Sequence, residues 1–277
     1  MKYEMCITQF VFGSYTRYIP LYIYSVLKAY PDYYLKIFVG GQLDAAEARA
    51  LALMPSGNYE IIEGYCQDRV EMGKWCKYVR RLVPYEQYKD FKYVYHGDVD
   101  FVIIPEIPSL KDWHVAHCEK LNLPFSNAIR PGTKRISGLH FIEVEPYYEK
   151  MSEIMAHYRR HPEEVEKKLV KTSDEWFTYE VLDDIFGLDP LRAEGFNRPE
   201  HGVHLALWRK SKLMKKTLSH RFEYFLDMKD TINYILNEAG LNEVVDATSS
   251  TELTTEIARC KEFFRTLEPS VRKKYDF

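Results

Sequence analysis

Along the first hundred residues, short apolar runs alternate with segments whose apolar residues recur at helical spacing. Met5 to Phe12 is a mostly apolar run that stops at Gly13-Ser14, the pattern of a buried strand and a turn. Tyr18 to Ala29 has helical spacing with Pro20 near its start. Tyr34 to Val39, closed by Gly40 and Gly41, predicts a second strand, and Leu43 to Met54, ended by Pro55, a second helix. Tyr59 to Ile62 comes next as a third strand, Glu71 to Leu82 as a third helix, and Tyr93 to Tyr95 as a fourth strand. Strand and helix in strict alternation imply an α/β fold: a parallel sheet with helices on both faces. After residue 100 the pattern loosens. Strands are expected at Trp113 to His117 and Ile136 to Val144, helices at Pro146 to Arg160 and Thr172 to Ile185, and a short strand at Gly202 to Trp208. From Arg209 onward the spacing is helical only, which predicts a main unit over residues 1–208 and a helical C-terminal extension over 209–277 packed on it.

The fourth strand runs straight into His96-Gly97-Asp98-Val99-Asp100. Residues two apart in an extended segment project to the same side. Two carboxylates so placed repel unless a cation lies between them. A hard divalent ion such as Mn²⁺ or Mg²⁺ takes one or two carboxylates and completes its shell with phosphate oxygens and water. Ligands of parallel sheets bind beyond the C-terminal strand ends, and the Asp98/Asp100 pair is expected at such an end. A bare Asp-x-Asp is otherwise a common solvated turn, so position gives this one its weight.

Tyr93-Val94-Tyr95-His96-Gly97-Asp98-Val99-Asp100 resembles the strand and DxD motif of GT-A glycosyltransferases. Ile136-Ser137-Gly138-Leu139-His140 is similar to the Ser-Gly strand that such enzymes place beneath the donor sugar and acceptor. His201-Gly202-Val203-His204 with Trp208-Arg209 is similar to the late His motif of the glycogenin and galactosyltransferase-like families. The resemblance spans residues 3 to 209 in order of elements and is specific at these three motifs. It departs at the last, because those families show HxxGxxKPW; here Gly202 directly follows the first His, and Trp208-Arg209 replaces the Lys-Pro-Trp ending.

The resemblance implies a Rossmann-like nucleotide-binding half, a mixed central sheet, and glycosyl transfer from a nucleotide-diphosphate sugar, UDP-linked, to a glycan or lipid-linked hydroxyl acceptor. It implies Asp98, Asp100 and His204 as ligands of Mn²⁺ or Mg²⁺, with His201 as a phosphate-contacting partner. Gln9, Phe10 and Tyr15 would hold the nucleobase and ribose, and Gly138 would lie under the sugar. Arg80 or Arg81 would meet the diphosphate, a role that suits a bidentate guanidinium; Lys74 lies on the same helix, where any single charge also reads as solvated surface. An acidic residue after the Ser-Gly strand would serve the reacting centre, as general base in an inverting enzyme or as stabiliser of an oxocarbenium-like centre in a retaining one. Asp174 is the first candidate and Glu175 the second. Thr172 and Glu175 also fit a capping box, a structural reading of Glu175.

Composition narrows the alternatives. With 38 basic and 41 acidic residues the net charge is −3, so no global basic field for nucleic acid exists. Five cysteines without a CxxC spacing predict neither a disulfide framework nor a structural zinc site, and point to a reducing cytoplasm. No basic segment followed by an apolar one opens the chain, and no apolar stretch reaches bilayer length. Asp112, His114, His117 and Cys118 are read as alternation along a strand rather than a zinc cluster. The stretch 209–221 carries six basic residues and no acidic one; it reads as a solvated helix face or as peripheral contact with an anionic membrane. Gly13-Ser14 is no GxGxxG fingerprint, so NAD has no support. Gly13 to Arg17 is too poor in glycine for the phosphate loop of a sugar nucleotidyltransferase, the rival enzyme reading. A non-catalytic nucleotide-sugar-binding or scaffold protein is the rival outside enzymes.

Overall fold

The structure is a computed structural model that describes residues 3–55, 57–66, 75–195, 199, 201–209 and 221–268, with Trp75 described in its backbone alone. The strands are β1 (Met5–Val11), β2 (Tyr34–Val39), β3 (Tyr59–Ile62), β4 (Tyr93–His96), β5 (Phe101–Ile103), β6 (Phe125–Ser126), β7 (His140–Glu143) and β8 (Gly202–His204). Six of them form one sheet in the order β3-β2-β1-β4-β7-β6. The first four run parallel, and β7 and β6 run antiparallel to their neighbours. This is the mixed central sheet expected from the sequence. Strand order reverses between β1 and β4, so their C-terminal ends open a crevice.

Both faces of the sheet are covered. Ile7, Val11, Leu35, Ile37 and Tyr95 point into a core shared with α1 (Ile19–Ala29) and with residues of the C-terminal helices Lys229–Leu236, Ala239–Ala247 and Thr251–Thr266. Cys6, Phe38 and Val94 point the other way, into a core with α3 (Trp75–Val79), α5 (Val144–Arg160), α6 (Pro162–Lys171) and α7 (Asp174–Phe186). Alternate residues of one strand thus feed opposite cores, as the period of two requires. The helix Ala239–Ala247 packs on α1 and on α2 (Ala45–Leu51), and Gly240 is needed there because a Cβ would come within 2.5 Å of the Tyr24 hydroxyl. Trp208 is buried against Phe263 and Phe264, with ring centroids 5.2 and 6.1 Å away.

The structure corrects the sequence reading in three elements; of Gly202 to Trp208 only Gly202–His204 is a strand, and Leu205–Trp208 turns into a 3-10 helix. Trp113 to His117 is not a strand but the middle of α4 (Leu110–Leu121). Buried Leu110, His114, His117, Cys118 and Leu121 recur at three and four residues, a helical stripe that a five-residue window hides. Ser109 caps its start by accepting from the Asp112 amide at 3.2 Å, and Asn122 ends it in the left-handed region at φ 52°. In the Ile136 to Val144 segment only His140–Glu143 is a strand, with an isolated antiparallel bridge from Ile136 back to Ile129.

Candidate active site

A cleft of about 410 Å³ opens at the C-terminal ends of β1 and β4. Its walls carry Gln9, Phe10, Phe12 and Tyr15 from the end of β1 and the turn after it, Asp98 and Asp100 from the turn after β4, Arg80 and Lys77 from α3 and its C-terminal side, and Asp174 from the first turn of α7. The parallel pairing of β1 with β4 sets Thr8 beside His96, so the turns after both strands emerge on one edge of the sheet. The Gln9 carboxamide joins the two: its oxygen accepts from the Tyr22 hydroxyl at 2.8 Å and its nitrogen donates to the Gly97 carbonyl at 2.7 Å. A Cβ on residue 97 would come within 2.9 Å of that carboxamide, so the close crossing of the strand ends requires Gly97.

Arg80 organises the charges. Its Nη1 donates to Asp98 Oδ1 at 2.7 Å and its Nη2 to Asp174 Oδ2 at 3.1 Å. One guanidinium therefore bridges the first carboxylate of the Asp pair and the carboxylate expected at the reacting centre. Burial works against the Arg80 charge, but Asp98 and Asp174 outweigh it and hold its pKa above the ordinary value. Arg81, the alternative diphosphate contact, lies buried beneath Gly138 and donates to that residue's carbonyl from Nη2 at 2.6 Å. Burial and the neighbouring Arg80 charge pull its pKa down to about 10. Arg81 is thus a support under the Ser-Gly segment rather than a lining group of the cleft. Lys74 lies outside the described residues.

Asp100 is held differently. The antiparallel pairing of β5 with β8 sets His204 across from Phe101, and the Leu205 amide donates to the Asp100 carbonyl at 2.8 Å. His204 Nε2 comes to 3.2 Å from Asp100 Oδ1. Asp100 Oδ2 accepts from Arg209 Nη2 at 2.8 Å. Arg209 also donates from Nε to the buried Glu256 at 2.8 Å and from Nη1 to the Tyr15 hydroxyl at 3.0 Å. Glu256 belongs to the helix Thr251–Thr266, so this C-terminal helix is tied to the second carboxylate of the pair through one guanidinium. Gly202 makes this pairing possible: at φ +135° it lies against the β5 backbone, where a Cβ would collide with the Val102 carbonyl. That contact is the physical reason for the glycine directly after His201.

Asp98, Asp100 and His204 form a donor set of two carboxylates and an imidazole, which suits Mn²⁺ or Mg²⁺. Ligands adjacent on an octahedral ion with bonds of about 2.1 Å are about 3 Å apart, and the Asp100 and His204 donor atoms stand at 3.2 Å. Asp98 is held aside by Arg80, and the three do not converge within 4.8 Å; among the described residues the only such cluster is the exposed His161, Glu163 and Glu164. The three side chains fit the ion in donor chemistry, and Asp100 and His204 also in spacing, while Arg80 and Arg209 are the cations on the two carboxylates here.

Asp98 also lines a second cleft, of about 270 Å³, with Ser137, Gly138, His204, Arg130 and Arg221. A Cβ on residue 138 would meet Arg80 Nη2 at 3.3 Å and Asp98 Oδ2 at 3.5 Å, so Gly138 leaves room for the Arg80–Asp98 pair.

Two expected site residues are placed elsewhere. Glu175 turns away from Asp174 and receives two guanidiniums: Arg130 Nη2 at 2.6 Å on Oε1, and Arg135 Nη2 at 2.5 Å on Oε2. It fastens the 129–136 hairpin to the start of α7 and does not line the first cleft. The helix is capped not by Thr172 but by Ser173, whose hydroxyl accepts from the Trp176 amide at 3.2 Å. His201 is buried, with Nδ1 at 2.8 Å from Glu106 Oε2 and Nε2 at 2.9 Å from His114 Nε2. His114 in turn lies 2.6 Å from the Ser126 hydroxyl. Both ring nitrogens of His201 are occupied in this core relay, so it offers no contact to a phosphate. Arg209, Glu256, Arg130 and Arg135 were missed by sequence reasoning. Arg209 alone had a signal, as the residue in place of the Lys-Pro-Trp ending. Of the basic stretch 209–221, residues 210–220 lie outside the described residues, and no described helix is long and apolar enough to cross a membrane.

No family model matches the chain, and no curated protein does. Solved structures do match. The apo-form glycosyltransferase GlyE of Streptococcus pneumoniae TIGR4 aligns over 95% of this chain and 63% of its own, with 12% identity and a TM-score of 0.51. The galactosyltransferase LgtC, solved in complex with donor and acceptor sugar analogs, aligns over 56% of this chain and 66% of its own at 17% identity and a TM-score of 0.40. The bifunctional glycosyltransferase WbbM aligns over 90% and 52% at 11% identity, with a TM-score of 0.44. This chain thus spans less than two thirds of the length of each. The match to GlyE establishes the fold: a GT-A type glycosyltransferase fold, as the sequence motifs imply.

Proposed function

We propose that the chain is a glycosyltransferase that moves a sugar from a nucleotide-diphosphate donor, UDP-linked, to a hydroxyl on a glycan or lipid-linked acceptor in cytoplasmic assembly of a surface polysaccharide. The observation that carries this reading is the single Arg80 that joins Asp98 to Asp174 in a cleft at the reversal of strand order. In it the nucleobase lies along Phe10, Phe12 and Tyr15, with the ribose near Gln9. Asp98, Asp100 and His204 would hold Mn²⁺ or Mg²⁺, which would supply positive charge for a leaving diphosphate. Arg80, oriented by Asp98 and Asp174, and the exposed Lys77 supply positive charge to the phosphates. Asp174 addresses the sugar or the incoming hydroxyl, and Gly138 gives the donor sugar room against the second cleft, where the acceptor lies. The basic stretch 209–221 would serve peripheral contact with an anionic membrane. The short turn Gly13–Tyr18 stays poor in glycine, which weighs against the nucleotidyltransferase alternative.

The test is thermal melting with a panel of nucleotides and nucleotide sugars, with and without Mn²⁺, beside an assay of sugar release. A ligand that binds the folded state alone raises the melting temperature. We expect a Mn²⁺-dependent shift with one nucleotide diphosphate or its sugar, and loss of that shift with turnover down about 10³-fold in Asp100→Ala. A folded protein that responds to no nucleotide would move the weight to a non-catalytic role.

A further inference from the structure

The second cleft does not end at the Ser-Gly segment. Arg130 lines it and also lines an open trough of about 460 Å³ beyond it. That trough carries Arg130, Thr133, Lys134 and Arg192, and no carboxylate lines it among the described residues. The first cleft is the opposite, with three carboxylates, Asp98, Asp100 and Asp174, against Lys77 and Arg80. Asp98 lines the first and second clefts, and Arg130 lines the second cleft and the trough, so a cleft lined mainly by carboxylates is linked through the second cleft to a trough lined by cations.

The trough is built rather than incidental. The 129–136 hairpin is closed by the Ile129–Ile136 bridge and by the Arg130 amide donating to the Arg135 carbonyl at 2.8 Å. Its turn uses Gly132 at φ +68°. Glu175 accepts from Arg130 through Nε at 3.0 Å and Nη2 at 2.6 Å, which fixes the guanidinium plane and leaves the Nη1 edge out of that pairing. The Arg130 side chain keeps 40% of its surface exposed, and Lys134 at the tip is exposed. On the far wall Arg192 is held by Asp183, Asp189 and the Tyr179 hydroxyl. Across the hairpin Arg130 and Arg135 share the single carboxylate of Glu175, and Lys134 adds a third, exposed cation.

We infer that this trough is the subsite for an anionic group, a carboxylate or a phosphate, carried by the acceptor glycan, with Arg130 and Lys134 as its recognition residues. The inference rests on the transferase reading above and names its acceptor class. The donor diphosphate is not the occupant, because its own cations, Lys77 and Arg80, lie on the other side of Asp98. An anion in the trough would place a neighbouring sugar hydroxyl in the second cleft beside Gly138.

The experiment titrates the full chain, with nucleotide diphosphate and Mn²⁺ present, with three probes: a glucuronate-containing disaccharide, its carboxyl-reduced neutral counterpart, and a hexose 1-phosphate. Calorimetry is run at low and high salt, on the parent protein and on Lys134→Ala and Lys134→Glu with their melting temperatures. We expect at least one anionic probe to bind about tenfold more tightly than the neutral one, and that preference to shrink with salt. Lys134→Glu should remove it at an unchanged melting temperature, with Lys134→Ala in between. Preference for the glucuronate assigns a carboxylate-bearing glycan, and for the phosphate a sugar phosphate or lipid-linked acceptor. Equal affinity for acid and neutral probes, no binding of either acid, or an anion preference that survives Lys134→Glu would overturn the proposal. Hydrolysis of nucleotide sugar by the parent protein, measured alongside, separates that failure from a failure of the transferase reading.

Discussion

The two sides of Asp98 are built from the same residue types to opposite effect. On the β1/β4 side, carboxylates outnumber the cations lining the cleft, and Arg80 is shared between two of them. On the hairpin side, guanidiniums outnumber carboxylates, and Glu175 is shared between two of those. In each case the minority charge is the more buried partner and acts as the organiser: Arg80 keeps 17% of its side-chain surface against 35% for Asp98, and Glu175 keeps 12% against 40% for Arg130. A buried charge must be paired, so it dictates where its partners stand. The majority charges left facing solvent are then the groups available to a ligand: a cation on one side, an anion on the other.

Arg80→Ala is the harshest way to break this contrast. It leaves Asp98 and Asp174 without their shared cation, and because both pairs are only partly buried the loss is about 2 kcal/mol, between the surface and the fully buried case. We expect that loss in urea unfolding, together with a fall in transfer of about 10²-fold when saturated with donor. A variant as stable and active as the parent would mean that the bridge is incidental.

Glu175→Gln tests the other organiser. Its partners are more exposed, so the expected stability loss is only about 1 kcal/mol. The hairpin should nonetheless loosen, and acceptor KM rise roughly fivefold, with kcat changing less. If kcat falls instead and KM holds, Glu175 belongs to the reacting centre after all, and the contrast with Asp174 on the neighbouring position collapses.

The smallest effect sharpens the picture of the layer beneath both sides. His96 and His140 are cross-strand partners on β4 and β7, both buried under Arg80 and Arg81. Burial first, and the arginine charges after it, hold both well below the usual histidine pKa. His117 is lowered too, by burial above all. The unfolded chain therefore binds more protons than the folded one below about pH 6.5. Stability should be level above that value and decline as pH falls toward the depressed folded-state values, by up to about 1.4 kcal/mol per pH unit for each histidine. Urea midpoints at pH 7.5 and 5.5 measure it, and a midpoint that rises on acidification would contradict the assignment. His140→Phe should reduce the slope.

The legible part of the site was local. Asp98 and Asp100 were found because an apolar strand, a glycine and two acids are contiguous, and the strand-helix alternation told which end of the sheet they occupy. Asp174 was legible as an acid at a helix start. The four-strand parallel core was equally readable, since buried β-strands and amphipathic helices write their period into adjacent residues. Trp113 to His117 failed for the converse reason: five residues cannot tell a period of two from one of 3.6.

By itself, then, the sequence determined the βαβ framework, the placing of the Asp pair at a strand end, and the resemblance in three short motifs. The tertiary structure alone decided which charges meet. Arg80 and Asp174 are 94 positions apart, and Tyr18 and Glu256 are 238 apart, yet each pair is hydrogen-bonded. Adjacent Asp174 and Glu175 part company, one to the cleft and one to the hairpin, and His201 and His204 separate into a buried relay and a site neighbour of Asp100. Successive side chains on a helix or strand diverge, so neighbours in sequence meet different surroundings. Pairing partners depend on where whole elements dock. Docking is set by burial summed over many residues, and no single motif carries it.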